Sequence, residues 1–551
     1  MSLVSQVRVP YADLPGSPRV LSLYATGDGT VRKLLGGGLQ DLGERVATIR
    51  KRSYPRAALR EALEGYLSRL GAPPASLASA SRLADPRCVV VATGQQPGLG
   101  ASPVLTLYKA ATAVSLARHI EETGLGPAVP LFWCHSADHD LDEMNRIGLL
   151  DAEMGFVRHR AELEAPPRTP AERVLVAGPV ENLWTTITAQ FPATDYARQA
   201  IASLRPESGD TLGSWTSRIL LRLLGEEGLL VLEPLCIRRL FDPWAKLSLD
   251  RGPDLVQELR ERTGRLRSAS LEAPLDVERP TLLFRMVPGQ EGALSRERVH
   301  LAPGGAGGGL PGADRAASGS WSPAAALRPV FQSAVLPVAA AILGPTELAY
   351  HAQIGGLFDT LGVPPPILIP RLSVTLVDDR TASHLTEKGL DLRDIPHLPE
   401  RLAQANDSRR PELPSDWATS RDNLTATLEG LLSSLAAEEP SLRKKGEKAR
   451  ERITGELDRL AQNYRVARER ASEIDQRRLR RLVSLLAPRD RLQERELSTL
   501  QMLVLFGPGL VDLLVHELDS LTFDHKILRV GRDGLVARAR SVTRAHRGDA
   551  P

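Results

Sequence analysis

Short apolar runs alternate with helical patterns through the first two thirds of the chain. Residues 88–92 form a β-branched run, a glycine-rich loop follows at 93–100, and residues 104–120 carry apolar side chains at helical spacing. A second apolar run, at 129–133, lies about 40 residues after the first, an interval typical of a crossover between parallel strands. Later segments repeat the alternation. The pattern predicts an α/β fold with a doubly wound parallel sheet.

The pattern changes after Arg380 to long, charged helices. Small or apolar residues then recur in steps of three and four, with one additional step of four, which predicts a coiled-coil seam with a single stutter. The seam positions are Leu442, Gly446, Ala449, Ile453, Leu457, Leu460, Tyr464, Ala467, Ala471 and Ile474. Near the end of the chain the sequence again predicts short helices and a short strand, so we expect the chain to return to the core.

These changes predict three regions. An α/β core with inserts spans residues 1–380 and contains a flexible glycine-rich loop at 303–320. A helical coiled-coil arm spans 381–487. Residues 488–551 form a C-terminal segment that returns to the core, and we expect a disordered tail after about residue 535.

Composition and charge narrow the classes of function. The 551 residues include 70 basic and 67 acidic side chains, so the net charge gives no general nucleic-acid signal. Residues 441–481 carry 14 basic against 7 acidic side chains, which we interpret as the solvated face of a coiled coil. No apolar run reaches the length of a membrane span, and the three cysteines form no C-x-x-C pair. We therefore expect a cytoplasmic protein with neither a nucleic acid nor a membrane among its partners.

Polar residues follow the first predicted strand. Thr93, Gly94, Gln95 and Gln96 stand at a strand-to-helix junction, where small residues allow close approach and the helix N-terminus favours phosphate or carboxylate. The loop matches neither the dinucleotide fingerprint nor the P-loop, and a structural turn would also explain its glycines. The two adjacent amides, however, offer donors and acceptors that a turn does not need.

A second polar cluster, at 134–140, follows the next strand directly. Asp138, His139 and Asp140 are candidates for a general base with an orienting carboxylate, or for a divalent-metal site. The structural alternative is an Asx-type turn in which Asp140 or Asp142 caps the next helix. Because ligands bind beyond the carboxyl ends of parallel strands, we expect this cluster to meet the glycine-rich loop.

Two predicted helices hold further candidates. Lys109 either extends to the surface or points toward an anion held at the loop. Glu347 and His351 are four residues apart and share one face of a helix that also carries Tyr350. They are either part of a site or a simple pair on the surface.

The order and spacing of several segments resemble the BshC family of bacillithiol biosynthesis. These segments are TGQQPG at 93–98 with Tyr108-Lys109, PLFWCHSADHDLDEMN at 130–145, RPVFQSAVLP at 328–337, LGPTELAYHAQ at 343–353, LGVPPPILIPR at 361–371, LQERELSTL at 492–500 and FGPGLVDLL at 506–514. The combination of TGQQ, a DHD triplet after a Phe-Trp strand and GPxELAY is specific to that family.

The resemblance implies a Rossmann-like core with connecting inserts and a coiled coil through which the family forms homodimers. It further implies a ligase that joins the carboxyl group of cysteine to the amino group of glucosaminyl malate, the last step of bacillithiol synthesis. The sequence identifies no cofactor, and ATP with Mg²⁺ is a candidate because amide formation needs an activated carboxyl group.

Carried over residue by residue, the resemblance implies one pocket. Its substrate- or nucleotide-binding residues would be Thr93, Gly94, Gln95, Gln96, Lys109, Glu347 and Tyr350, its catalytic residues would be Asp138, His139 and Asp140, and no metal ligand is assigned. The chain departs from the family pattern at Ala101-Ser102, Ala137 and His351, which bears on the acceptor and not on the fold. Two alternatives remain open: a related ligase or transferase with a different acceptor, and a dimeric nucleotide-binding scaffold without catalysis.

Overall fold

The computed structural model describes residues 1–176, 178–278, 280–288, 294–299, 317–406 and 413–531. Contacts divide the chain into two compact units. One combines Met1–Pro396 with the chain from Leu485 onward, and the other is His397–Ser484. Most of the predicted loop at 303–320, and the predicted tail after residue 535, lie outside the described residues.

Thirteen strands occur in the described residues. They are β1 Ser2–Val9, β2 Val89–Gln95, β3 Ala128–Cys134, β4 Arg146–Leu150, β5 Phe156–Arg160, β6 Leu230–Leu232, β7 Leu283–Pro288, β8 Leu294–Val299, β9 Trp321–Pro323, β10 Val338–Leu343, β11 Ile367–Pro370, β12 Ser373–Asp378 and β13 His525–Gly531.

The described α-helices begin and end as follows. They are α1 Arg19–Thr26, α2 Gly29–Leu34, α3 Leu42–Arg50, α4 Arg56–Arg69, α5 Pro74–Arg82, α6 Leu105–Glu122, α7 Leu141–Met144, α8 Pro179–Thr188, α9 Asp195–Leu204, α10 Leu212–Leu224, α11 Asp242–Asp250, α12 Gly252–Ser268, α13 Arg328–Val335, α14 Pro345–Thr360, α15 Asp379–Glu387, α16 Leu398–Asn406, α17 Trp417–Glu438, α18 Arg443–Leu486, α19 Gln493–Glu496, α20 Thr499–Phe506 and α21 Gly509–Asp512.

A five-stranded parallel sheet forms the centre of the larger unit, with the strand order β11-β10-β2-β3-β6. Val89, Val90 and Val91 of β2 are fully buried, and β10 is buried along its whole length. Strands that are covered on both faces are expected to be continuously apolar rather than alternating, as these are. The sheet confirms the predicted α/β fold with a parallel core. After β2 the chain adds β3 and β6 on one side of β2, and later it adds β10 and β11 on the other side. The direction in which strands are added therefore reverses between β2 and β10.

A second sheet joins the two ends of the chain in the order β1-β13-β12. β13 pairs antiparallel with β1 and parallel with β12. His525 of β13 lies between two hydroxyl groups of β12, with Nδ1 2.8 Å from Ser373 Oγ and Nε2 3.0 Å from Thr375 Oγ1. Two smaller antiparallel sheets, β4-β5 and β8-β7-β9, complete the strands.

The smaller unit is built on α17 and α18, which run antiparallel. Arg421 pairs with Asp458 at 2.8 Å, and Glu429 pairs with Arg450 at 3.1 Å, so positions rise along one helix as they fall along the other. This pairing agrees with the predicted coiled coil. Two residues of the predicted seam, Ile453 and Leu460, are 37% and 55% exposed within one chain, whereas Ala461 is buried. These two residues therefore lie off the face of α18 that packs against α17.

Among the described residues, no single helix has the length and apolar character needed to cross a membrane. By length and composition alone, one pair of helices does, Thr499–Phe506 with Gly509–Glu517, and it is bent by 100°.

Candidate active site

Polar segments follow three neighbouring strands of the central sheet, β10, β2 and β3, at the edge where the strands end. The backbone N–H of His135 donates to the carbonyl of Gln95 at 2.8 Å, which ties the segment after β3 to the end of β2. The Thr93 hydroxyl donates to the carbonyl of Ile342 in β10 at 3.0 Å. The loop after β2 and the cluster after β3 therefore lie together, at the place where a doubly wound sheet binds its ligands.

Lys109 is buried in this edge and points toward the loop, not toward solvent. Its ammonium group donates to the carbonyl of Gly94 at 2.7 Å and to Gln95 Oε1 at 2.8 Å, and it pairs with Glu347 Oε2 at 2.5 Å. These contacts occupy all three N–H donors of the ammonium. Burial lowers the pKa of Lys109, and the Glu347 carboxylate opposes that shift. Lys109 thus holds the loop and α14 together.

Glu347 connects the start of α14 to the buried lysine. Its Oε2 also accepts a hydrogen bond from the backbone N–H of Gly344 at 2.7 Å. Burial alone would raise the pKa of Glu347, but Lys109 and the Gly344 N–H together hold it below its usual value. His351 is only 5% exposed, and burial lowers its pKa to about 3, so its ring is neutral. The interpretation of Glu347 and His351 as a surface pair is wrong.

Asp138 is held from three directions. Gln96 Nε2 donates to its Oδ2 at 2.9 Å, the backbone N–H of His139 donates to its Oδ1 at 2.8 Å, and Arg296 Nη1 lies 3.3 Å from Oδ1. Burial raises the pKa of Asp138, but Arg296 and the Gln96 amide lower it overall. The carboxylate is therefore ionised at neutral pH and fixed in position.

His139 presents an unoccupied ring nitrogen beside this carboxylate. Its Nδ1 is buried, has no hydrogen-bond partner among the described residues, and lies 3.8 Å from Asp138 Oδ1. The ring packs edge-on against Phe284, with 6.0 Å between centroids. Burial, followed by the charge of Arg296, lowers the pKa of His139 below its usual 6.5. A neutral imidazole whose ring nitrogen has no hydrogen-bond partner can accept a proton.

Asp140, by contrast, is exposed. It precedes α7 at the N-cap position, and its side chain makes no capping hydrogen bond there. In the part of the chain that the structure describes, no three His, Cys, Asp or Glu side chains are placed to hold a metal ion.

Gly94 marks a close approach between the two strand ends. A Cβ at this position would lie 2.6 Å from His135 Nε2 and 2.6 Å from the carbonyl oxygen of Trp133. The space beside Gly94 is therefore filled by the His135 ring, whose pKa is lowered well below 6.5 by burial and by the charge of Arg328. This glycine is required by the packing of the site and not by a turn.

The N-terminus of α6, which the sequence suggested as an anion site, is covered. The backbone N–H of Val104 donates to the carbonyl of Leu497 at 2.9 Å, and the Thr499 hydroxyl donates to the carbonyl of Ala101 at 2.9 Å. Val104 and Ala101 are 0% and 1% exposed. Because the C-terminal segment supplies this cover, the polar groups open to a ligand are those at the end of β2.

Two arginines belong to the site although the sequence analysis selected neither. Arg296 comes from β8, a charged strand with no motif. Arg328 is the first residue of α13, and its charge opposes the burial that raises the pKa of Tyr350 to about 12. The segment that begins at Arg328 is one of those that resemble the family. The position of this segment just before an apolar strand is the sequence feature that could have identified Arg328.

Two domain models of one family together match most of the chain. "Bacillithiol biosynthesis BshC, N-terminal Rossmann-like domain" matches residues 9–372, and the C-terminal coiled-coil domain of the same family matches residues 374–530. These matches confirm the Rossmann-like core and the coiled coil.

Curated relatives agree with the domain matches. A protein of Solibacter usitatus named "Putative cysteine ligase BshC" is 34% identical and covers 82% of this chain and 86% of its own length. Proteins of the same name from Koribacter versatilis and Thermus thermophilus are 28% and 30% identical, covering 95% and 82% of this chain and 99% and 89% of their own. The chain therefore belongs to the BshC family of bacillithiol biosynthesis.

Proposed function

We propose that this protein is a cytoplasmic C–N ligase that forms an amide bond between the carboxyl group of cysteine and the amino group of glucosaminyl malate, completing bacillithiol. Family membership and the relatives' name support a cysteine ligase. The observation that carries the reaction type is the neutral His139 ring, with its unoccupied Nδ1, beside the ionised Asp138. Amide formation requires this kind of base, because the attacking amine must lose a proton.

Four side chains of the site have a role in this proposal. His139 accepts the proton of the amine, and Asp138 steadies the positive ring that results. Gln96 keeps Asp138 oriented, with 2.9 Å between Nε2 and Oδ2. Lys109 fixes Gln95 and Glu347 so that the loop keeps its shape when substrate binds.

The carboxyl group of cysteine must also be activated. We propose ATP with Mg²⁺ as the co-substrate, which supplies a good leaving group on the carboxyl oxygen. The polar donors at the end of β2 and the arginine side chains of the site fit an anionic reactant.

We propose further that the arm forms a homodimer. Leu424, Leu431 and Leu435 of α17 are 49%, 60% and 52% exposed, and Ile453 and Leu460 of α18 are 37% and 55% exposed. On each helix these residues are spaced by four or seven, which places them on one side of that helix. Exposed apolar side chains at coiled-coil spacing favour a protein partner, and a second copy of the arm would bury them.

Incubation of the purified protein with glucosaminyl malate, cysteine, ATP and Mg²⁺ tests the reaction, with thiol-labelled products read by mass spectrometry. We expect bacillithiol in the complete mixture and none when either organic substrate is omitted. Omission of ATP shows separately whether ATP activates the carboxyl group. Absence of product in every mixture, from a folded protein, would contradict this ligase activity and favour a different acceptor or a binding role.

A further inference from the structure

The segment 168–172 contacts both partners of the Arg296–Asp138 pair. Near one end of this segment, the carbonyl of Arg168 accepts a hydrogen bond from the backbone N–H of Arg296 at 3.3 Å. Near the other end, the backbone N–H of Ala171 donates to the carbonyl of Asp138 at 2.8 Å. Arg296 and Asp138 are 158 positions apart in the chain, and this short segment joins their backbones. The segment 168–172 is therefore a brace across this ion pair.

The brace also holds the chain that leads from β3 to His139. The backbone N–H of Glu172 donates to the carbonyl of Ser136 at 2.9 Å. This hydrogen bond and the one to Asp138 fix two carbonyl groups just before His139. The position of the His139 ring therefore depends on where the brace lies.

A buried ion pair anchors the brace. The carboxylate of Glu172 pairs with the guanidinium of Arg238, from the segment that follows β6, and the two residues are 4% and 8% exposed. Glu172 Oε2 and Arg238 Nε have no hydrogen-bond partner among the described residues. Each side chain therefore depends on the hydrogen bond from Arg238 Nη2 to Glu172 Oε1. Removal of either partner leaves a buried charge unpaired, which is strongly unfavourable.

We infer that Glu172, held by Arg238, is a positioning residue that keeps His139 in the geometry required for proton transfer. For its effect on rate, this inference rests on the proposed function. Glu172 is buried, so it acts through the brace and not by contact with substrate. A displacement of about 1 Å can lower a rate about 100-fold, so the loss of this support should affect kcat more than KM. The alternative is an ion pair that only stabilises the fold, which predicts an unchanged rate per folded molecule.

Steady-state kinetics of the ligase reaction test the effect on rate. We expect Glu172→Gln and Arg238→Gln each to lower kcat about 10- to 100-fold per folded molecule, with the KM of both organic substrates changed less than about threefold. Arg238→Lys should recover part of the rate, since it keeps the charge but not the planar fork. Asp524→Asn is the matched control, because it breaks another buried ion pair, with Lys526 at 2.8 Å, and should keep kcat. An unchanged kcat in Glu172→Gln would overturn the inference.

A double variant separates positioning from stability. Glu172→Met/Arg238→Met leaves no buried charge of this pair without a partner, so its free energy of unfolding should exceed that of Glu172→Met or Arg238→Met alone. It has no directional contact to hold the brace, so its kcat should stay as low as that of the single variants. Recovery of kcat together with stability would assign the pair to the fold alone.

Titration of His139 by NMR tests the same inference without turnover, so its outcome does not depend on the ligase proposal. Burial, followed by the charge of Arg296, lowers the pKa of His139. A displaced brace admits water and releases the backbone of Arg296. Both Glu172→Gln and Arg238→Gln should therefore raise the pKa of His139 toward 6.5. The charged groups that act on the ring are Arg296, Asp138, Asp140 and Arg168.

The direction of the two shifts distinguishes positioning from a direct effect of charge. Loss of the Glu172 charge alone would lower the pKa of His139, and loss of the Arg238 charge alone would raise it. The signal of His139 is assigned by its absence from His139→Gln. Shifts of the two variants in opposite directions, or no shift in either, would overturn the inference even where no amide forms.

Discussion

At the scale of single residues, the mutual dependence of Lys109 and Glu347 is the strongest feature of the site. Their side chains are 2% and 20% exposed, and each neutralises the other's charge. We predict that Lys109→Met lowers the free energy of unfolding by about 3–5 kcal/mol, because it leaves a buried carboxylate without a counter-charge. Urea denaturation measures this change.

A double-mutant cycle supplies the control for the lysine prediction. Adding Glu347→Gln to Lys109→Met removes the stranded charge, so the double variant should recover at least about 1 kcal/mol relative to additive losses. Strictly additive losses would mean that the two side chains do not depend on each other.

The close approach at Gly94 gives a second prediction at this scale. Gly94→Ala would force its methyl group against His135 and the Trp133 carbonyl, so we expect a loss of about 1–3 kcal/mol in stability. Ligase activity should also fall, because the loop cannot keep its position. Gly264→Ala is the matched control, since a Cβ there meets nothing within 4 Å and its φ is not positive. Unchanged activity and stability in Gly94→Ala would contradict the packing described here.

Sequence reasoning found the polar residues that directly follow the strands more readily than their partners from distant segments. Gln96 and Asp138 were selected because polar residues directly after apolar strands are conspicuous, and they do form a hydrogen bond. Arg296 was not, because its strand shows no local signal and its contact with Asp138 joins residues 158 positions apart. Long-range charge pairing is set by the folded chain, which a local pattern does not reveal.

At the scale of elements, the pairing of β12 with β13 encloses a titratable histidine. His525 is fully buried between two hydroxyl groups, and burial lowers its pKa to about 4. The unfolded chain binds this proton near pH 6.5 and the folded protein only near pH 4. The stabilising effect of the neutral ring is therefore complete above pH 6.5 and is lost as the pH falls toward 4.

The resulting prediction concerns the pH dependence of stability. Between pH 7 and pH 5, the uptake of a proton by His525 in the unfolded chain should lower the free energy of unfolding by about 2 kcal/mol. His525→Gln should remove this contribution from the slope of stability against pH. Denaturant unfolding at several pH values measures both proteins. His384→Gln is the control, because His384 is not enclosed in this way. Parallel slopes for wild type and His525→Gln would contradict the prediction.

The parallel strands were predictable as elements, but their surroundings were not. Runs such as 88–92 are apolar on both faces, which identifies buried strands directly. The cover over the start of α6 comes from Thr499, and that hydrogen bond spans 398 positions. In the arm, heptad counting selected Leu460, which is exposed within one chain while Ala461 is buried. A heptad pattern does not distinguish residues that pack within one chain from residues that are left to pack against a second chain.

At the scale of the whole molecule, the exposed leucines of the arm predict its oligomeric state. We expect wild type at twice the chain mass of 59.8 kDa and Leu431→Glu/Leu460→Glu at the mass of one chain. Size-exclusion chromatography with light scattering measures both. Ser433→Glu, at an exposed position off the leucine face of α17, is the control and should remain dimeric. A double variant that keeps the mass of wild type would place the interface elsewhere.

The central claim is that proton transfer at His139 and Asp138 drives amide formation, and the rate of bacillithiol formation by matched variants tests it most directly. We predict that His139→Gln and Asp138→Asn each slow the reaction by about 100- to 10,000-fold. Thermal unfolding of His139→Gln should stay close to that of wild type, whereas Asp138→Asn should unfold at a lower temperature because Arg296 loses its counter-charge. His384→Gln, at a histidine outside the site, should retain the full rate. Wild-type rates in His139→Gln and Asp138→Asn would contradict the account.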